Sequence, residues 1–167
     1  GSLRIDGQEL STLQPSQLRR QVASVRQDIQ IFSRTLRFNF ALGNPSITEQ
    51  DLYEAIQITC SDSFVSRLGL DFTLKERGVN MSVGEGQLLT FARTMAHNPK
   101  IVILDEATAS VDSLTESRIQ VAIENILMRK TVLVIAHRLS TIKQADKIVV
   151  LEQGRVVETG THESLTA

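Results

Sequence analysis

The feature that most constrains the fold is the run Ile101-Val102-Ile103-Leu104, unbroken in its apolar character and bounded by Lys100 before it and Asp105-Glu106 after it. A strand with one solvated face alternates apolar and polar residues. A continuous run suits a strand covered on both faces, as in a parallel sheet. Residues 131–136 and 147–151 carry similar runs. Between the first two runs, Leu114, Ile119, Ala122, Ile123, Ile126 and Leu127 recur at helical spacing. Strand, helix and strand in that order predict a βαβ unit with a right-handed crossover.

Upstream, Leu3-Arg4-Ile5 reads as a strand turning at Asp6-Gly7, Pro15 as a helix start, and Val22-Ala23-Ser24-Val25 as a second strand. From about Phe32 to His97 the pattern is helical. Thr48-Glu49-Gln50-Asp51 is a capping signature, residues 62–68 form a further helix, 69–80 a loop, and 84–97 a helix with Leu88, Leu89, Ala92, Met95 and Ala96 on one face. Near the end, Gln153-Gly154 reads as a hairpin turn and Thr161-His162-Glu163-Ser164 as a final helix start. The expected organisation is a parallel-sheet core from residues 1–33 and 98–167, with a helical insertion at 34–97. A length of 167 residues fits about one domain, and a hydrophobic share of 41% is enough to build its core. Cys60 is the sole cysteine, so no intrachain disulfide forms and reducing, intracellular conditions fit best. A net charge of −1 gives no bulk attraction to nucleic acid or anionic membranes. No apolar run approaches the ~18 residues a membrane span needs.

Four segments carry chemistry. The run 101–104 delivers Asp105 and Glu106 to a sheet rim, where ligands bind in open α/β folds. There Asp105 can hold a metal and Glu106 can polarise a water, although acidic residues also end many strands simply by entering solvent. Asn80-Met81-Ser82-Val83-Gly84-Glu85-Gly86-Gln87 opens a helix whose N–H groups and dipole favour an anion, and Ser82 adds a hydroxyl; an ordinary serine cap reads the same way. His137, ending a strand, can meet a phosphate or a carboxylate, whereas His97 and His162 read as structural. Gln27 follows a strand and can offer its amide oxygen to a metal or orient a water.

The order and spacing of these segments resemble those of the ATP-binding-cassette (ABC) ATPases, in particular the nucleotide-binding domain of exporter-type transporters. Gln27 in Val25-Arg26-Gln27-Asp28 matches the Q-loop, Met81-Ser82-Val83-Gly84-Glu85 the signature, 101–106 Walker B, Ser110-Val111-Asp112 the D-loop and His137 the H-loop. Lys75-Glu76-Arg77-Gly78 resembles the exporter X-loop, and the tail from Ala145 to Glu163 also follows exporters. The resemblance covers essentially the whole chain. It implies an α/β fold: a partial P-loop NTPase-like ABC ATPase with a parallel-sheet core and an inserted helical subdomain. It also implies that two such domains sandwich two ATP molecules head to tail. Asp105 and Gln27 would then attend Mg²⁺, Glu106 would be the catalytic base or water-orienting group, and His137 would position the γ-phosphate. Ser82, Gly84 and Glu85 would serve ATP held by the second domain, with Asp112 at the interface. The Gln27 region and Lys75–Gly78 would face a transmembrane domain at the cytoplasmic side of a membrane. No nucleic-acid partner is implied.

The sequence departs from the family pattern in two places. The signature usually reads Leu-Ser-Gly-Gly-Gln, but here Val83 replaces the first glycine and Glu85 the glutamine, which brings negative charge towards a phosphate site. Gly86 stands where the family commonly has a long basic residue. No Gly-x-x-x-x-Gly-Lys-[Ser/Thr] occurs; the lysines are Lys75, Lys100, Lys130, Lys143 and Lys147, none in that context. The expectation is therefore the C-terminal part of an exporter ATPase domain lacking its Walker A portion, inactive and marginally soluble by itself. Gly1-Ser2 is native or a cloning scar. The alternative is a stand-alone non-catalytic module lending its signature or coupling surface to a partner. A third reading, the split head of chromosome-condensation ATPases, is disfavoured by Gln27, by Lys75–Gly78 and by the exporter-like tail.

Overall fold

A computed structural model of the chain describes residues 1–26, 28–105, 112–136 and 138–166. A three-stranded parallel sheet organises it. Strands β3 (Val22–Val25), β4 (Ile101–Asp105) and β5 (Thr131–Ile135) lie in the order β3-β4-β5, with Val25 opposite Leu104 and Asp105 opposite Ile135. Two short strands, β1 (Arg4–Ile5) and β2 (Gln8–Glu9), form a hairpin turned by Asp6 and Gly7 at positive φ, and α1 (Pro15–Gln21) starts on its proline. Four helices lie between β3 and β4: α2 (Leu36–Ala41), α3 (Glu49–Ile58), α4 (Asp62–Leu68) and α5 (Val83–Ala96). Helix α6 (Ser113–Leu127) leads to β5. After it come α7 (Leu139–Lys143), the hairpin β6 (Ile148–Glu152)–β7 (Arg155–Gly160) and α8 (His162–Thr166). The fold is α/β, as the sequence predicts.

The core joins the sheet to the helices. Val25, Val102 and Leu104 project from one face of the sheet into a cluster with Phe91 and Ala92 of α5 and Ile119, Ala122, Ile123 and Ile126 of α6. Val132 and Val134, opposite Val102 and Leu104, pack against the same cluster. Leu36, Phe40, Leu52, Ala55 and Phe64 extend it among α2, α3 and α4. The helix starts follow their caps. Thr48 accepts from Asp51 N while the Asp51 carboxylate accepts from Thr48 N, closing a reciprocal cap on α3. Thr35 does half of this on α2, accepting from Phe38 N.

Two expectations need correction. The run at 147–151 is not a strand buried in the parallel sheet: β6 pairs antiparallel with β7 in a separate two-stranded sheet, and Val149, Val150 and Leu151 are exposed. The turn explains this, because Gln153 and Gly154 at positive φ fold the chain directly back on itself, so β6 meets its sequence neighbour. Strand β5 is also not covered on both faces. Leu133 and Ile135 are 62% and 54% exposed, since α5 and α6 cover only the face that carries Val132 and Val134. Helix α7 is an element the sequence reading missed; its five residues are too few for a periodic signal.

Candidate functional site

The parallel sheet brings three chain segments to one edge. Because Val25 pairs with Leu104 and Asp105 with Ile135, the C-terminal ends of β3, β4 and β5 lie side by side. Asp105 is the last residue of β4 and is exposed there. Gln27, Glu106 and His137, the residues expected to do chemistry beyond these ends, lie outside the described residues, as do Ser110 and Val111. Asp112 caps α6: its Oδ1 accepts from Thr115 N at 3.0 Å, and this bond, aided by the Thr115 side chain, holds the carboxyl below its usual range. Arg138, next in sequence to His137, pairs with Glu116 of α6 at 3.0 Å, tying the start of α7 to that helix. Among the described residues no group of three or more His, Cys, Asp or Glu is placed to hold a metal ion.

The second group is the start of α5. Ser82 is the N-cap, with φ −72° and ψ 159°. Its Oγ accepts from Glu85 N at 3.2 Å, and its own N–H donates to Glu85 Oε2 at 2.9 Å. The other Glu85 oxygen, Oε1, receives Arg67 Nη2 of α4 at 2.5 Å. Val83 and Gly84 open the helix, and their N–H groups have no acceptor among the described residues. Val83 sits at a helical, negative-φ position where a β-branched residue is accommodated, so its replacement of glycine meets no backbone obstacle. Glu85 is turned back along the helix, not outward. Among the described residues no hydrogen bond or ion pair joins this group to Asp105. The described clefts, of about 280 and 190 Å³, are lined by other residues.

The arm that follows Gln27 is pinned to the helices. Asn39 of α2, fully buried, accepts from Phe32 N and donates to Phe32 O, both at 2.9 Å. Arg93 of α5 donates to Gln30 O at 2.9 Å and to Asn39 O at 2.7 Å, and its guanidinium lies 5.6 Å from the Phe32 ring centroid. Burial pushes the Arg93 pKa down. Gly86 lets this arm approach: a Cβ there would sit 3.2 Å from Ile29 Cγ2 and 3.3 Å from Ile31 Cδ1. At Gly78, with φ +69°, a Cβ would run into Ile31 Cδ1, so the Lys75–Gly78 turn packs on the same isoleucine. The sequence reading missed Arg67, Asn39 and Arg93. Arg93 carries a signal, a cation on the helix between the apolar Leu89, Ala92 and Ala96. Arg67 carries none, because its partner is 18 residues away.

Comparison with known proteins agrees with this picture. The ABC transporter family model matches residues 1–109. The uncharacterized ABC transporter ATP-binding protein YknV of Bacillus subtilis is 43% identical over all of this chain and 28% of its own length. A putative multidrug export ATP-binding/permease protein of Staphylococcus aureus is 44% identical over all of this chain and 29% of its own. A solved structure of a bacterial Atm1-family ABC exporter with ATP bound superposes with a TM-score of 0.85 at 37% identity, over 99% of this chain and 29% of that one. The chain thus spans less than a third of these relatives. On its sequence motifs, its parallel sheet and these likenesses, the chain belongs to the ABC transporter family.

Proposed function

We propose that the chain belongs to the ATPase domain of an ABC exporter, coupling ATP binding and hydrolysis to transport through a transmembrane domain. The observation that supports this best is the common edge of β3, β4 and β5, with Asp105 exposed on it and Gln27, Glu106 and His137 following the three strand ends in sequence. Open parallel α/β sheets bind ligands outside the carboxyl ends of their strands. In this reading two such domains face each other head to tail around ATP. Ser82 and Gly84 of one serve the γ-phosphate held by the other, Glu85 shapes the turn that presents them, and Asp112 lies at their interface. The Gln27 region and Lys75–Gly78 face the transmembrane domain, on the cytoplasmic side. Among the described residues no helix is long and apolar enough to cross a membrane, so in this reading the spans belong to other parts of the transporter.

Asp105 offers a hard carboxylate oxygen on an exposed strand end, the type of ligand with which Mg²⁺ is held beside substrate phosphates, so the residue fits the ion. When bound by Asp105 and the Gln27 amide oxygen, Mg²⁺ would neutralise charge on the β- and γ-phosphates. Glu106 orients the attacking water and takes its proton. As the water oxygen bonds to the γ-phosphorus, the bond to the β-phosphate oxygen breaks, giving ADP and phosphate. His137 donates to the γ-phosphate and holds it in line. The test is Glu106→Gln in the intact polypeptide containing this chain: turnover should fall by about 10²–10⁴ with ATP binding retained. Unaltered turnover would falsify the assignment.

A further inference from the structure

We propose that Arg67 is a positioning residue for the phosphate-facing end of α5: it cancels the charge that Glu85 brings to that turn and keeps the carboxylate folded back on the helix. The proposal rests on the functional reading above and adds to it what tunes the signature site. A carboxylate in the first turn of a helix is attracted by the helix dipole, yet the same turn is where an anionic phosphate is to be received. The two anions compete unless the carboxylate is turned away and neutralised.

The observed geometry does both. Glu85 Oε2 accepts from Ser82 N and Oε1 from Arg67 Nη2, so each carboxylate oxygen is engaged on the helix side. The Ser82 oxygen uses a lone pair to accept from Glu85 N, which leaves its proton free to donate outward. With the N–H groups of Val83 and Gly84, that proton completes a set of donors at the helix end. A neutral glutamine at position 85 would cap Ser82 N through its amide oxygen without a counter-charge, so Arg67 matters only because residue 85 is an acid. The side chains of Arg67 and Glu85 are 55% and 22% exposed. An ion pair this open adds little to stability, so the consequence of breaking it falls on the anion that docks beside it.

The experiment is a double-mutant cycle in the intact polypeptide, reading kcat and KM for ATP together with the thermal midpoint. Arg67→Ala should raise KM for ATP by about fivefold, the equivalent of roughly one kcal/mol, with the midpoint unchanged. Glu85→Gln added to Arg67→Ala should restore KM to within about twofold of the Glu85→Gln single variant. Arg67→Lys should keep most of the function. Raising salt from about 50 to about 500 mM should shrink the Arg67→Ala defect by screening the freed carboxylate. Arg67→Met, which keeps the apolar stem, replaces Arg67→Ala if alanine lowers the midpoint. An unchanged KM in both Arg67→Ala and Arg67→Met, or a KM defect that Glu85→Gln leaves in place, overturns the proposal. Glu106→Gln is run alongside. If it abolishes turnover while the cycle shows no coupling, only the role of Arg67 falls. If it leaves turnover intact, the ATPase reading falls and this one with it.

Discussion

Replacing Arg93 by alanine removes a side chain that hydrogen-bonds α5 both to α2 and to the arm after Gln27. The guanidinium makes two short bonds, 2.7 Å to Asn39 O and 2.9 Å to Gln30 O, and a longer one of 3.3 Å to Asn39 Oδ1. Asn39 O lies in the last turn of α2, where carbonyls lack helical donors, so Arg93 acts as a C-terminal cap for that helix. Charge-assisted bonds to a part-buried carbonyl contribute about 1.5–3 kcal/mol net, whereas the exposed Gln30 bond belongs near the lower end of the range for ordinary bonds, about 0.5 kcal/mol. The contact with the half-exposed Phe32 ring adds about 0.5–1 kcal/mol. Together these give an expected loss of about 3 kcal/mol, read as a shift in the urea midpoint at unchanged slope. Arg93→Lys, keeping the charge but not the fork that reaches two separate carbonyls, should recover about a third of it. Amide exchange supplies the local readout: Phe32 N, held by Asn39 Oδ1, should lose protection well beyond the global change. A loss under about 1 kcal/mol with Phe32 protection intact would refute the reasoning, because the three bonds would then be replaceable by water.

Two further outcomes follow from the same contacts. Gly86→Ala should be nearly neutral in denaturant unfolding, because the ~1 kcal/mol gained in helix propensity offsets tight contacts with Ile29 and Ile31, while Gly86→Val should cost about 1–3 kcal/mol by overpacking. Stability should decline modestly with falling pH in two separate windows. Partial burial, opposed by a hydrogen bond with the Ala41 backbone and aided by the Arg93 charge, holds the His97 pKa below its usual 6.5, so the unfolded chain binds the extra proton first and stability falls as pH drops below that value. Asp51 is held low by its bonds to Thr48, and Asp112 by those to Thr115; their contribution is present above 3.8 and is lost as pH falls through the lowered folded values. His97→Gln should flatten the decline in the first window and Asp51→Asn with Asp112→Asn that in the second, both read as urea midpoints against pH by circular dichroism.

The elements that depend on short-range patterning were legible in the sequence. The unbroken run at Ile101–Leu104 gave a parallel strand, Thr48 with Asp51 gave the cap of α3, and Gln153-Gly154 gave the last hairpin. Burial was not legible to the same degree. An apolar run says that a strand can be covered, not by what. For β6 the turn at Gln153 and Gly154 decided the pairing, and for β5 the helices reached only one face. The site divides in the same way. Ser82 was readable as opening a helix and Asp105 as ending a strand, and both stand there, whereas the cap that Asp112 forms on α6 was not read from the sequence. The side chains that hold these segments in place, Asn39, Arg67 and Arg93, act across 7 to 63 residues of chain, and no local pattern encodes such distances.

Those long-range contacts converge on one arm and one helix. Gly86 and Gly78 both lie against Ile31, Arg93 holds Gln30 from the other end of α5, and Arg34 and Leu36 exchange backbone bonds with Leu74 and Phe72 of the loop before Lys75. A shift of residues 29–36 therefore cannot occur without moving either α5 or the 70–78 loop, because close-packed contacts transmit displacement and do not absorb it. Helix α5 carries Ser82 and Glu85 at its N-terminal end and Arg93 near its C-terminal end, and a helix of 14 residues is stiff over that length. Residues 28–32, which follow Gln27, and the Lys75–Gly78 turn, both in segments proposed to face a transmembrane domain, are thus joined through Ile31 to the helix that begins after Ser82. The glycine at position 86, a departure from the usual family residue, lets the joint close tightly: a larger side chain there would push Ile29 and Ile31 away from α5 and leave the link between arm and helix to Asn39 and Arg93.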